Sequence, residues 1–101
     1  MNIIEIPFHA DMAKAVKMGK KDCTSRNKKY GEPGDAFYIE GKVYVLTRVH
    51  RVELKAVAQH LYDREGFSSP EEFTEYWKML HPRNGWEPER QVWLHEFEVK
   101  A

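Results

Sequence analysis

The sequence has little cysteine, no surplus of charge and no long apolar run, and each shortage excludes a class of protein. Cys23 is the single cysteine, so no disulfide can form within the chain. Sixteen Lys and Arg residues balance sixteen Asp and Glu residues, which argues against a protein that coats nucleic acid through an overall basic surface. No run approaches the roughly 20 apolar residues of a membrane span, and the N-terminus lacks the apolar run of a secretion signal. We therefore expect a cytoplasmic protein that has no membrane and no DNA partner.

What the chain does contain is enough for one folded domain. Its 101 residues include 13% aromatic side chains, a share that supports a packed core and argues against disorder. We expect residues 1–101 to form a single domain and the protein to be a monomer.

The pattern of apolar residues predicts short helices and strands in a mixed order. Helices are predicted at residues 8–18 and 55–65, and a third from the capping sequence Ser69-Pro70 to Pro82. Strands are predicted at residues 2–6, 36–40, 42–49 and 92–99, with a strand or extended segment at 24–28. We also expect a type II′ turn that begins at Gly41 and a β-bulge near His50–Arg51. This order favours an α+β fold in which a curled antiparallel sheet forms a small barrel with helices at its ends.

Basic residues are concentrated in one stretch of this neutral chain. Seven of the sixteen lie between positions 14 and 29, where Asp22 is the one acid. They are Lys14, Lys17, Lys20, Lys21, Arg26, Lys28 and Lys29. A solvated basic face is the simpler interpretation. In an extended segment, however, Thr24 and Arg26 point to the same side, and Lys21 lies where the chain leaves the first helix. Lys21, Thr24 and Arg26 could therefore meet in one cavity.

Such a cluster has a chemical use. Neighbouring cations disfavour one another's charged forms, so Lys20 and Arg26 would favour the neutral amine of Lys21, which can act as a base. A hydroxyl beside an amine base is one way to build a nucleophile for acyl transfer, and Thr24 would supply that hydroxyl. The guanidinium of Arg26 suits a phosphate, a carboxylate or a polarised carbonyl.

Other reactive side chains carry weaker signals. Cys23 is expected to be a small buried residue rather than a nucleophile. The five histidines have no metal-ligand spacing and no CxxC or HExxH is present, so we expect neither a metal nor a cofactor. Glu65 is predicted in the last turn of a helix, where the helix dipole disfavours an anion. Tyr38 and Trp86 are the aromatic residues that could contact a ligand.

Three motifs together point to a known family. A helix that ends in glycine is followed by K-x-x-T-x-R and a loop with P-G-D; later come REGFSSPEEFTEYW at 64–77 and the closing VWLHEFEV. This combination resembles the ASCH domain family, and the resemblance covers nearly the whole chain. It implies a PUA-like antiparallel β-barrel with two or three short helices at its ends. It also implies a cavity lined by the basic motif, with RNA or modified nucleosides as ligands.

The resemblance extends to small bacterial amidohydrolases that remove the acetyl group from N-acetylcytidine. It implies catalytic roles for Lys21, Thr24 and Glu65, which match the lysine, threonine and glutamate of those enzymes. Arg26 matches the arginine of the same motif. This chain differs from the family's motif at Asp22 and Cys23, where an uncharged residue is more usual, and Asp22 could pair with Lys21.

Three functions remain open from the sequence. The first is hydrolysis of an acylated nucleoside by Lys21, Thr24 and Glu65. The second is RNA binding, in which Lys20, Lys21 and Arg26 contact phosphates while Tyr38 or Trp86 stacks on a base. A ribonuclease would use the same basic cluster. The third is a regulator that binds a protein partner through the glutamates of the third helix.

Overall fold

The protein folds into a four-stranded antiparallel sheet with three helices, in a computed structural model that describes residues 2–101. Met1, which the expected domain range includes, lies outside the described residues. The elements in chain order are α1 (Ala10–Lys17), β1 (Cys23–Arg26), β2 (Ala36–Ile39), β3 (Lys42–Glu53), α2 (Leu54–His60), α3 (Pro70–Leu80) and β4 (Gln91–Val99). The sheet has the strand order β1-β4-β3-β2 and is curled into a half-barrel, which confirms the predicted α+β architecture.

Helix α3 begins where its capping sequence predicts. The Ser69 hydroxyl accepts a hydrogen bond from the Glu72 backbone N–H at 3.1 Å, and Pro70 occupies the first helical position. Phe73 and Trp77, four residues apart, are both buried and present one apolar face to the rest of the molecule.

The hairpin between β2 and β3 uses a different turn from the predicted one. Ile39 pairs with Lys42, so the two-residue loop consists of Glu40 and Gly41. Both have positive φ, 47° and 85°, which is the combination of a type I′ turn. The expected type II′ turn beginning at Gly41 is therefore wrong, because the turn begins one residue earlier, at a glutamate held in a left-handed conformation.

Strand β3 carries its bulge earlier than predicted. The pairing shifts between Leu46, opposite Phe97, and Arg48, opposite Glu96, so the exposed Thr47 is the extra residue. The bulge expected near His50–Arg51 is therefore wrong. At the N-terminus, the strand predicted over residues 2–6 is reduced to a single parallel bridge between Ile3 and Ala36.

Two apolar cores stabilise the fold. The first core lies among α1, β2, β3 and the end of β4, and contains Ile6, Val16, Phe37, Ile39, Tyr44, Leu46 and Phe97. The second core lies among α2, α3 and the start of β4, and contains Leu54, Val57, Ala58, Phe67, Phe73, Trp77 and Val92. Strand β4 contributes to both, because its buried residues change from Val92 and Leu94 to His95 and Phe97 along its length.

Candidate functional site

A cavity of about 470 Å³ lies beside β1, the strand at one edge of the sheet. Its walls come from α1, from β1 and the residues after it, and from α3. A volume of this size is within the range of about 300–1,000 Å³ that small-molecule sites occupy. Residues that the sequence singled out, Lys21, Thr24, Arg26 and Glu65, all line it.

Lys21, Glu65 and Ser25 form a buried hydrogen-bonded cluster in the cavity wall. The Lys21 ammonium donates to the Glu65 carboxylate at 2.7 Å and to the Glu65 backbone carbonyl at 2.9 Å. The Ser25 hydroxyl donates to the other carboxylate oxygen at 2.5 Å. None of the three residues is more than 7% exposed. Because each charge is paired and hydrogen-bonded, the ion pair can persist away from water.

A tight turn brings Glu65 to this position. Helix α2 ends at His60, so the prediction that the helix continues to residue 65 is wrong. The chain then turns, with the Glu65 N–H donating to the Leu61 carbonyl at 3.0 Å and Gly66 at a φ of 100°. Glu65 therefore lies beyond the helix, and the expected penalty from the helix dipole does not apply to it.

Thr24 belongs to a second cluster, centred on Arg26. The Arg26 Nε–H donates to the Thr24 hydroxyl oxygen at 3.1 Å. The guanidinium carbon lies 5.0 Å from the ring centre of Phe8 and 5.5 Å from that of Tyr30, within the range of cation–π attraction. Burial lowers the pKa of Arg26, although the neighbouring Tyr30 opposes this shift. The Thr24 oxygen is thus held by a cation.

His95 holds the backbone of this second cluster. Its ring is fully buried, Nε2 accepts a hydrogen bond from the Tyr30 N–H at 3.0 Å, and Nδ1 lies 3.3 Å from the Thr24 carbonyl oxygen. Since Nε2 is an acceptor, the ring proton is on Nδ1, where it can be donated to Thr24. Burial lowers the pKa of His95, which favours this neutral form.

Asp22 does not pair with Lys21. Its carboxylate accepts a hydrogen bond from Arg64 Nε at 2.7 Å, on the outside of the cavity wall. Arg64 also donates to Glu96 at 2.9 Å. Burial alone would lower the pKa of Arg64, but its hydrogen bonds to these two carboxylates raise it instead. The acid that distinguishes this chain from the usual motif is therefore satisfied elsewhere and leaves Lys21 to Glu65.

Three residues predicted to bind a ligand lie away from the cavity. Lys20 is exposed to solvent beyond α1, so it does not crowd Lys21 in the way that the sequence suggested. Tyr38 is 56% exposed on β2, at the opposite edge of the sheet. Trp86 packs edge-on against Phe73 at 6.4 Å, on the far side of α3, in a separate shallow groove.

Ser25 is the residue that sequence reasoning missed. Its partner Glu65 is 40 positions away, so no local spacing could reveal the contact. Strand alternation could not reveal it either, because alternation places Ser25 on the face of β1 opposite to Thr24 and Arg26, whereas all three residues line the cavity. Cys23 is fully buried, as expected, and burial raises the pKa of its thiol.

Two further observations concern ions and membranes. Among residues 2–101, no group of three or more His, Cys, Asp and Glu side chains is arranged to hold a metal ion. In the same part of the chain, no helix combines the length and the apolar character needed to cross a membrane.

Comparison with known proteins identifies the fold. No family model matches the sequence, and no curated protein matches it significantly. The ASCH domain of Lactobacillus crispatus JV V101 superposes with a TM-score of 0.76 at 11% identity, covering 97% of this chain and 79% of that one. The hypothetical protein PH0355 gives 0.73 at 19% identity, covering 99% and 100%. EF3133 of Enterococcus faecalis V583, described under the family DUF984, gives 0.62 at 19% identity, covering 88% and 69%. The chain therefore has the fold of the ASCH domain.

Proposed function

We propose that this protein is an amidohydrolase that removes the acyl group from N-acetylcytidine or a related acylated nucleoside. The observation that supports this proposal is the convergence of a buried hydroxyl, an amine and a carboxylate on one cavity of about 470 Å³. These are the groups that acyl transfer needs: a nucleophile, a base and a partner that controls the base.

One cluster supplies the nucleophile for the reaction, and the other supplies the base. The Thr24 hydroxyl attacks the amide carbonyl carbon, and its proton passes to Lys21, which has first given a proton to Glu65. The bond between the carbonyl carbon and the amine nitrogen then breaks, and that nitrogen takes a proton from the Lys21–Glu65 pair. Arg26, hydrogen-bonded to the Thr24 oxygen at 3.1 Å, holds the attacking hydroxyl in position. Water hydrolyses the acyl-threonine ester and restores the enzyme.

The remaining walls suit a flat heterocycle. Phe67, Phe73, Tyr76 and Trp77 contribute aromatic surface to the cavity. A cytosine base can stack on such surface, while its acylated amine faces the polar residues of β1.

Incubation with N-acetylcytidine tests the proposal, with cytidine and acetate measured by chromatography. Thr24→Ala removes the nucleophile and should abolish the release of both products. Thr47→Ala, which alters an exposed threonine on β3, is the matched control and should retain activity. Peptide mapping after a rapid quench should locate the acyl group on Thr24. Unchanged substrate at high protein concentration counts against the proposal.

RNA binding is a second candidate, favoured by a different surface. Trp93 on β4 has the Lys29 ammonium 5.1 Å and the Arg51 guanidinium 5.0 Å from its ring centre. Basic side chains beside an aromatic ring are typical of surfaces that contact phosphates and stack bases. This surface predicts RNA affinity that weakens with salt.

A fluorescence titration with single-stranded RNA at low and high salt tests this candidate. Arg51→Gln on β3 should weaken binding, whereas Arg83→Gln, at an exposed position in the loop after α3, should not. No change in signal at low salt would remove RNA binding from consideration.

A further inference from the structure

Arg26 is a half-buried cation that lacks a carboxylate partner within residues 2–101. The ion pairs in this part of the chain engage Lys21, Arg48, Arg64 and Arg90, among others, but not Arg26. Its Nε–H is used by Thr24 and Tyr30 also hydrogen-bonds to its side chain, but a guanidinium has five N–H donors, so donors remain for another acceptor. A cation removed from water normally has an anion close to it.

The residues that the structure describes supply no unpaired carboxylate to the cavity. Glu65 is the only carboxylate among the described residues that line it, and both of its oxygens are already engaged by Lys21 and Ser25. The cations in the same lining are Lys21, Arg26 and Lys28. Two of the three therefore face the cavity without an acidic partner.

These two cations share one aromatic ring. The Lys28 ammonium lies 4.7 Å from the ring centre of Tyr30, and the Arg26 guanidinium carbon lies 5.5 Å from the same point. Two cations beside one ring suit a group that carries more than one negative charge. A phosphate monoester fits this description, because it has a charge of about −1.5 to −2 at neutral pH and three acceptor oxygens.

We propose that the cavity takes a nucleoside monophosphate, with the phosphate bound by Arg26 and Lys28 beside Tyr30. The inference rests on the proposed function for the nucleoside part of the ligand. It extends that function by assigning the substrate to the nucleotides rather than to the neutral nucleosides.

Binding measurements with unacylated products test the inference without any turnover. Cytidine, cytidine 5′-monophosphate, cytidine 3′-monophosphate and inorganic phosphate are titrated into the protein by calorimetry at two salt concentrations. We expect one of the two monophosphates to bind at least about tenfold more tightly than cytidine, since one charged hydrogen bond is sufficient for that difference. The preference should weaken as salt is added. The better isomer identifies which end of the ribose faces Tyr30.

Variants connect the preference to the two cations. Arg26→Gln should remove most of the difference between the monophosphate and cytidine, and Lys28→Gln should reduce it. Lys28 is exposed, so its replacement leaves the fold intact even if Arg26→Gln lowers stability. Arg83→Gln is the matched control, because Arg83 is an exposed arginine outside the cavity, and it should leave the preference unchanged.

The outcomes separate this inference from the proposed function. The phosphate subsite is overturned by equal affinities for cytidine and both monophosphates, or by no binding of any of them. A preference that survives both Arg26→Gln and Lys28→Gln would also overturn it. A protein that hydrolyses N-acetylcytidine but binds monophosphates no better than cytidine keeps the amidohydrolase function and loses the phosphate subsite. A protein that prefers the monophosphate but never releases acetate keeps the phosphate subsite and loses the amidohydrolase function.

Discussion

Lys21 and Arg26 line the same cavity in opposite circumstances. Lys21 is sealed into an ion pair with Glu65, and the Ser25 hydroxyl completes the cluster. Arg26 is held by two aromatic rings and a hydroxyl, and no carboxylate within residues 2–101 forms an ion pair with it. The difference separates a cation whose charge the fold already satisfies from one whose charge is available to a ligand. We expect the first to dominate stability and the second to dominate binding.

The largest effect on stability should come from breaking the ion pair between Lys21 and Glu65. Glu65→Gln leaves the Lys21 ammonium buried without its carboxylate, which should lower the free energy of unfolding by about 3–5 kcal/mol. Urea denaturation measures this loss. Glu89→Gln, at an exposed loop position, is the control and should change the value by less than about 0.5 kcal/mol.

The double variant Lys21→Met/Glu65→Met sharpens the same comparison. Replacing both charges with apolar side chains removes the unpaired ion, so the double variant should be more stable than Glu65→Gln alone. A double variant that is less stable than Glu65→Gln would show that the unpaired charge of Lys21 is not the main cause of the loss in Glu65→Gln.

A smaller loss is expected at Ser25. Ser25→Ala removes a hydrogen bond to a charged carboxylate, which should cost about 1.5–3 kcal/mol in urea denaturation. Ser68→Ala, at an exposed position, serves as the control. If Ser25→Ala abolishes acetate release while Thr24→Ala does not, the assignment of Thr24 as the nucleophile is wrong and Ser25 takes its place.

The pH dependence of stability should report on His95. Because burial lowers the pKa of His95 in the folded state, the unfolded chain takes up a proton first as the pH falls below the unperturbed value of 6.5. The stability associated with neutral His95 is therefore complete above that pH and is lost as the pH falls towards the lowered folded pKa. The slope from this residue should not exceed about 1.4 kcal/mol per pH unit.

Thermal unfolding between pH 7.5 and 5 measures this loss in the native protein and in two variants. His95→Gln should flatten the profile, whereas His60→Gln, which changes an exposed histidine, should leave it unaltered. A profile equally steep in His95→Gln would assign the pH dependence to other groups.

The smallest effect on stability should come from Arg26. Arg26→Gln loses two cation–π contacts of about 0.5–1 kcal/mol each, but it also relieves the burial of a charge, so the net change should remain below about 1 kcal/mol. The urea midpoint measures it. A loss as large as that of Glu65→Gln would remove the contrast between the two cations.

The sequence predicts those parts of the fold that depend on local signals. Ser69 and Pro70 specify the start of α3, and they do so through contacts within four residues. Local signals did not predict the position of the bulge at Thr47 or the end of α2 at His60. Both depend on how distant segments pack: the pairing of β3 with β4, and the turn that carries Glu65 to Lys21.

The same distinction applies to the site. Lys21, Thr24 and Arg26 lie within six positions, so their spacing indicates a shared location, and all three line the cavity. The pairing of Ser25 with Glu65 spans 40 positions and needed the fold. Tyr38 and Trp86 have suitable chemistry but no local signal of direction, and they lie elsewhere.

Cys23 gives the protein a built-in reporter of motion in the cavity wall. The thiol is fully buried between Lys21 and Thr24 along the chain, so a thiol reagent can reach it only when β1 separates from its neighbours. Labelling kinetics would therefore record transient opening of this strand in the unmodified protein, with no engineered probe. Any small molecule that occupies the cavity and stabilises β1 should slow the labelling, which makes this single thiol a means of screening for the natural ligand.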